Sequence, residues 1–249
     1  LLFRDARRFA AGHGCAVDWE RGPGEFRDEI RTSLIPDYEV RLSTPRAAGA
    51  GTDLRMSTLA KASDTSGLRA MVDEYRAWIA ERRRDASLLP DVLRATAERH
   101  LALAEQAAAR IERGIKKIEG DVDVARAFSL MNQAMMQQRA RQDWIRSDGT
   151  QPLGDGAEQS WRPFQIAFIL LNLEGLADPE SEDREKADLL WFPTGGGKTE
   201  AYLGLIALSI LIRRLRNPKS RGVTAMMRYT LRLLTLQQFE RASTLICAL

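Results

Sequence analysis

LLWFPTGGGKTEAY occupies residues 189–202 and places three consecutive glycines directly before a Lys-Thr pair. The apolar run that leads into it, residues 187–192, is bounded by charge and predicts a buried strand of a parallel sheet. Beyond Thr199, apolar residues continue nearly around a helical cylinder, which predicts a largely buried helix. A strand, a glycine loop and a helix in this order form the arrangement that binds a triphosphate.

The residue types of the loop fit phosphate chemistry. Glycines leave room for phosphate oxygens and tolerate the positive φ that turns successive N–H groups inward. Lys198 can reach the β and γ phosphates, the hydroxyl of Thr199 can ligate Mg²⁺, and the helix N-terminus adds partial positive charge. We therefore predict Lys198 and Thr199 as catalytic residues, Thr199 as the metal ligand, and ATP with Mg²⁺ as cofactors. The predicted nucleotide contacts in this stretch are Thr194, Gly195, Gly196, Gly197, Lys198, Thr199 and Glu200.

Phe192 departs from the general P-loop pattern G-x-x-x-x-G-K-[ST], which has glycine at this position. The stretch that remains, P-T-G-G-G-K-T over residues 193–199, is the shortened form typical of superfamily 2 helicases. The alternative is a glycine-rich turn before an ordinary helix.

Composition narrows the class of protein. The chain has 249 residues, of which 29% are charged and 44% hydrophobic, and it has no apolar run long enough to span a membrane. Eight Arg or Lys residues and one acid follow Glu200, which favours a polyanion such as DNA as partner, although a solvated helix surface gives the same pattern. Cys15 and Cys247 indicate neither a zinc site nor a disulfide framework, so we expect a cytoplasmic protein.

The first 150 residues divide into three predicted parts. Residues 1–47 are a mixed amino-terminal segment with a strand at 38–42, and residues 48–66 are a linker. Residues 67–150 are a long-helix region, because apolar side chains recur at helical spacing in three stretches separated by a proline and a glycine. We expect these helices to form a bundle.

Residues 151–249 are predicted to form the first part of a motor domain. The sequence Arg162-Pro163-Phe164-Gln165 opens a helix, with proline suited to its first turn. Gln165 lies where the Q motif of helicases lies, and its amide offers both the donor and the acceptor that an adenine edge needs. A capping or surface glutamine is the alternative. The acidic run 178–188 is expected to be a solvated loop.

A second apolar run, residues 223–227, predicts a further buried strand that completes a βαβ unit. The residues after it lie at the carboxyl edge of the predicted sheet, where open α/β folds bind ligands. Arginine and threonine side chains there could hold nucleic-acid phosphates, as motif Ia of helicases does, whereas arginines that merely face water are the alternative. The predicted nucleic-acid contacts are Arg228, Thr230, Arg232 and Thr235.

Three features follow one another along the chain: Gln165, residues 193–199 and residues 228–238. In this order they resemble the Q motif, motif I and motif Ia of a superfamily 2 DNA helicase. More narrowly, FPTGGGKTEAYLGL and MRYTLRLLTLQQFERA resemble the DrmA helicases of bacterial DISARM phage-defence systems. The resemblance implies an ATP-dependent DNA motor that acts with a DrmB-like partner subunit. It implies an α/β fold in which a mainly α-helical amino-terminal region precedes the start of a RecA-like P-loop motor domain.

The resemblance covers residues 161–249 and reaches motif Ia. We therefore expect the Walker B carboxylates and the second motor domain to lie outside this chain, which alone should turn over ATP poorly. Two other functions stay open: a P-loop NTPase without a nucleic-acid role, and a helical partner-docking module with a structural ATP site.

Overall fold

The structure is a computed structural model, and the described residues are 9–19, 29–33, 49, 51–61, 64–150, 152–193, 195–229 and 232–249. The chain divides into two compact units, Leu1–Ser43 and Thr44–Leu249. In the first unit, strands β1 (Ala16–Trp19) and β2 (Ile30–Ser33) pair antiparallel, with Ala16 opposite Ser33. The strand predicted at 38–42 lies outside the described residues.

In the second unit, helices form where apolar side chains recur at helical spacing in the sequence. The helices predicted within 67–150, after Pro163, after Thr199 and after Arg228 are all confirmed. None of the helices in the described ranges is long and apolar enough to cross a membrane. The helices are α1 (Met56–Leu59), α2 (Ser66–Ser87), α3 (Asp91–Gly120), α4 (Val122–Arg146), α5 (Pro163–Ala177), α6 (Lys198–Arg216) and α7 (Arg232–Ile246), with a short 3₁₀ helix at Glu182–Glu185.

The long helices do not form a bundle by themselves. α3 packs against both α2 and α5, and α4 packs against α6. The crossing of α3 and α5 is close, because a Cβ on Gly114 would lie 2.1 Å from the carbonyl oxygen of Leu170. The predicted boundary near residue 151 therefore falls inside one unit, in which the long helices and the P-loop helix share a core.

The predicted linker contributes to the same core. Leu54, Met56 and Leu59 are buried, and the backbone of Arg55 forms an antiparallel bridge with Ser160. The N–H of Met56 donates to the carbonyl oxygen of Gln159 at 2.9 Å. This segment consequently fixes the chain just before α5.

A buried polar contact sets the start of α5. Trp161 is buried, and its Nε1 donates to Oδ1 of Asn132 on α4 at 2.7 Å, while Nδ2 of Asn132 donates to the carbonyl oxygen of Phe128 at 2.8 Å. Each polar atom of this buried pair is thus hydrogen-bonded, as burial requires. The contact places Arg162 and Gln165, in the first turn of α5, next to α4.

The predicted parallel sheet is absent from the described residues. Residues 187–192 and 223–227, both predicted as buried strands, have no regular secondary structure. Leu189 and Trp191 are 87% and 79% exposed, and Val223 and Met226 are also exposed. An apolar run becomes a buried strand only when neighbouring strands accept its backbone hydrogen bonds and cover its faces. The described part of the second unit offers these segments no such neighbours.

Candidate functional site

The glycine loop turns directly into α6. Gly195 and Gly197 have φ of +80° and +89°, and the N–H of Gly196 donates to the carbonyl oxygen of Pro193 at 3.1 Å. A left-handed φ costs other residues about 1–2 kcal/mol, which explains glycine at position 197. Because α6 begins at Lys198, its first N–H groups lack partners within the helix and remain available to an anion.

The two predicted catalytic residues open α6. The ammonium of Lys198 donates to the carbonyl oxygens of Phe192 and Pro193, the latter at 3.1 Å, so it lies within the loop. The hydroxyl of Thr199 makes no hydrogen bond to another described residue. A hydroxyl with no partner in the described part of the chain fits the predicted role as a Mg²⁺ ligand. Thr194, another predicted contact, lies outside the described residues.

The first turn of α5 holds the loop at three points. Nη1 of Arg162 donates to the carbonyl oxygen of Gly196 at 2.7 Å, and Nε2 of Gln165 donates to that of Gly197 at 2.8 Å. The ring of Phe164 stacks on that of Phe192, with centroids 4.2 Å apart and planes 9° from parallel. Phe192, the departure from the general P-loop pattern, is therefore an anchoring residue of the loop.

The oxygen and the nitrogen of the Gln165 side-chain amide each form a hydrogen bond within the protein. Its Oε1 accepts from the backbone N–H of Arg162 at 2.8 Å, which caps α5, while its Nε2 holds Gly197. The residue is only 5% exposed. The structure therefore shows the capping role that was the alternative in the sequence, and a role in reading adenine stays a prediction.

Glu200 joins three helices beside the loop. Its Oε1 accepts from Nη2 of Arg241 on α7 at 2.6 Å and from Nη1 of Arg139 on α4 at 3.4 Å. Nε2 of Gln138 on α4 also donates to the carbonyl oxygen of Arg241 at 2.9 Å. The long-helix region and α7 thus both reach the P-loop. Sequence reasoning missed Arg139 and Arg241, because no local pattern marks a contact between distant parts of the chain.

The predicted nucleic-acid contacts are only partly described. Arg228 and Thr235 are exposed, the latter on α7. Thr230 lies outside the described residues, and Arg232 begins α7 but its side chain is not among those described. The structure gives no distance that joins these residues into one surface, so their shared role stays a prediction.

The glycine loop, the helix that follows it and the anchoring turn of α5 together have the local form that the P-loop motif predicts, without its sheet. No protein-family model matches the sequence. The whole chain is similar to the DISARM protein DrmA of Bacillus paralicheniformis, with 38% identity over 270 aligned residues, and it spans 24% of the length of that relative. The resemblance to DrmA that the motifs indicated is confirmed, and the chain is a relative of DrmA.

Proposed function

We propose that this chain forms the nucleotide-binding part of an ATP-dependent DNA helicase or translocase that acts in anti-phage defence. The observation that carries the proposal is the hold of α5 on the P-loop, through the carbonyl oxygens of Gly196 and Gly197. These contacts tie down the loop through its carbonyls, and the N–H groups at the start of α6 remain available to a phosphate. The similarity to the DISARM protein DrmA supports the role in defence.

In this proposal the residues that open α6 bind the triphosphate. Lys198 exchanges its loop carbonyls for the β and γ phosphates, which offer it full negative charge. The hydroxyl of Thr199 would hold Mg²⁺, whose charge would neutralise that of the same phosphates. The N–H groups at the start of α6 add their partial positive charge.

The remaining parts of the motor belong to the proposal as well. The exposed apolar segments 189–192 and 223–227 join a RecA-like parallel sheet whose other strands come from the rest of a protein of DrmA length. The same part supplies the Walker B carboxylates and the second motor domain. We further propose a cytoplasmic location and a DrmB-like partner subunit, on the resemblance to DrmA.

The first test removes the positive charge of Lys198, which the proposal places at the phosphates. In the full-length protein, Lys198→Ala should lower DNA-stimulated ATPase activity by at least about 100-fold, because the lysine stabilises charge on the transferred phosphate. Lys219→Ala, which removes an exposed lysine after α6, is the matched control and should leave activity unchanged. Near-normal activity in the Lys198 variant would contradict the P-loop assignment. ATPase activity that DNA does not stimulate would favour an NTPase without a nucleic-acid role.

The second test addresses DNA. Changing Arg228 and Arg232 together to alanine should weaken DNA binding but leave ATP affinity measured without DNA unchanged. Because each neutralised phosphate releases counterions, the plot of log affinity against log salt should become shallower by roughly one unit for each lost contact. Arg84→Ala with Arg99→Ala, two exposed arginines of α2 and α3, is the control for net charge. Equal slopes for the two double variants would contradict the proposed DNA contacts.

A further inference from the structure

A polar pocket of about 260 Å³ lies between the P-loop and α4. Gly195, Gly197 and Gln165 line it on the side of the loop, and Arg139, Gln142 and Arg146 line it on the side of α4. Pockets that enclose a whole small ligand measure roughly 300–1,000 Å³. This pocket therefore suits one end of a ligand whose other end lies in the P-loop.

Four arginines and one acid line the pocket, and the acid is the feature that suits a sugar better than a phosphate. Its arginines share the space with the carboxylate of Glu200, which already pairs with Arg241 and Arg139. A carboxylate repels a phosphate but accepts hydrogen bonds from hydroxyl groups, such as those of a ribose. The guanidinium groups can stack their planes on a flat aromatic ring.

The apolar part of the pocket also suits an aromatic ring. Met56 and Met135 are part of its lining. Methionine is polarizable and makes favourable contacts with aromatic rings. Amides, guanidinium groups and thioethers together fit a flat ligand with apolar faces and polar edges, which describes a nucleobase.

Among the described residues, one glutamine of the pocket has neither function of its amide hydrogen-bonded within the protein. The amide oxygen of Gln165 accepts a hydrogen bond from Arg162, and its amide nitrogen donates one to Gly197. By contrast, none of the hydrogen bonds between described residues involves the amide of Gln142, which is half-buried at the pocket wall. A glutamine amide carries a donor and an acceptor side by side and can read a base edge with both.

We infer that this pocket binds the nucleoside end of the nucleotide, and that Gln142 of the long-helix region recognises its base. The inference rests on the proposed function, because it requires the phosphates to lie in the P-loop. The long-helix region then contributes directly to nucleotide recognition, and α4 is part of the site rather than a support for it.

The experiment compares two ligands that share phosphates and differ in the nucleoside. Equilibrium binding of ATP and of inorganic tripolyphosphate, each with Mg²⁺, is measured in the full-length protein. Gln142→Ala should weaken ATP by about fivefold to tenfold, as the loss of one or two hydrogen bonds does, and should leave tripolyphosphate unchanged. Gln137→Ala, which changes an exposed glutamine five residues earlier on α4 and outside the pocket lining, is the matched control and should change neither.

The outcomes separate the inference from the proposed function. An equal loss of both ligands in the Gln142 variant would mean that the pocket holds phosphates, and would overturn the inference while the P-loop assignment stands. ATP affinity equal to that of the Gln137 control would overturn it as well. Failure of the unmodified protein to bind either ligand would instead overturn the proposed function, and the inference with it.

Discussion

Gln165 connects the start of α5 to the end of the glycine loop. Its carbonyl caps the helix through the N–H of Arg162, and its amide nitrogen holds the carbonyl oxygen of Gly197. The same peptide group carries the N–H of Lys198, the first residue of α6. A side chain at this place controls where the loop lies, whatever base the nucleotide carries.

This geometry makes the effect of Gln165→Ala independent of the base. The variant loses one hydrogen bond to the loop, so we expect ATP and GTP to lose affinity by the same factor, about threefold to tenfold. Titration of both nucleotides in the full-length protein checks it, with Gln137→Ala as the control amide on α4. A loss confined to ATP would contradict the positioning role and support adenine reading.

At the residue scale, the loop was predictable and its anchors were not. The Gly-Gly-Gly-Lys-Thr stretch predicts positive φ, and Gly195 and Gly197 have it, because φ is a property of one residue and its neighbours. Arg162 lies 34 residues from its partner Gly196, and Phe164 lies 28 residues from its partner Phe192. Such contacts follow from packing, which no local pattern encodes.

The short 3₁₀ helix at Glu182–Glu185 carries a buried carboxylate, that of Asp183. Asp183, on this helix, is only 3% exposed at its side chain and accepts hydrogen bonds from Arg110 at 3.1 Å, Arg113 at 2.9 Å and Lys186. Arg110 also pairs with both carboxylate oxygens of Asp188, at 2.6 and 2.7 Å. The acidic run predicted as a solvated loop therefore fastens α3 to the segment that precedes the P-loop.

The pKa of Asp183 leads to a stability prediction. Burial alone would raise this pKa, but the hydrogen bonds from Lys186, Arg113 and Arg110 outweigh it and lower the pKa to about 2. Because the pKa is lower in the folded state, the carboxylate stabilises the fold above about pH 4. This contribution, about 2 kcal/mol, is lost as the pH falls from about 4 to about 2.

Urea unfolding between pH 2 and pH 6 measures this contribution. Asp183→Asn should lower the free energy of unfolding at pH 6, and its deficit should shrink by about 2 kcal/mol toward pH 2. Glu182→Gln, an exposed acid on the same 3₁₀ helix, should keep the pH dependence of the unmodified protein. A deficit for Asp183→Asn that does not change with pH would contradict the lowered pKa.

At the element scale, helices and strands differ in how far the sequence determines them. α3 and α4 follow from apolar residues at a period of 3.6, and each helix satisfies its own backbone hydrogen bonds. A strand satisfies its backbone through another strand. The runs 187–192 and 223–227 have the composition of strands, but the described residues contain no neighbouring strand to which either could bond. Composition alone was therefore not enough to predict whether a sheet forms.

At the scale of the whole molecule, the second unit has a buried apolar core but also exposes several large apolar side chains. The long helices, α5 and α6 share a buried core. Elsewhere in the unit, Leu189, Trp191, Val223 and Met226 expose large apolar side chains, and Leu236 and Phe239 of α7 do so too. Several exposed apolar side chains of this size mark a surface that another part of a protein covers. Strands of a sheet are our candidate for this cover, because the first four of these residues lie in two apolar segments that have no regular secondary structure of their own.

Hydrogen exchange tests whether a sheet covers these segments. In the 249-residue chain, the amides of 189–192 and 223–227 should exchange as fast as those of loops, because the segments have no regular secondary structure. In a protein of DrmA length they should exchange at least about 100-fold more slowly, since each amide would donate to a neighbouring strand. The amides of α3 around Ile111 and Ile115, buried in the core, are the control and should be protected in both proteins. Fast exchange of both segments in the longer protein would contradict the proposed RecA-like sheet, even if ATP binding at the P-loop were intact.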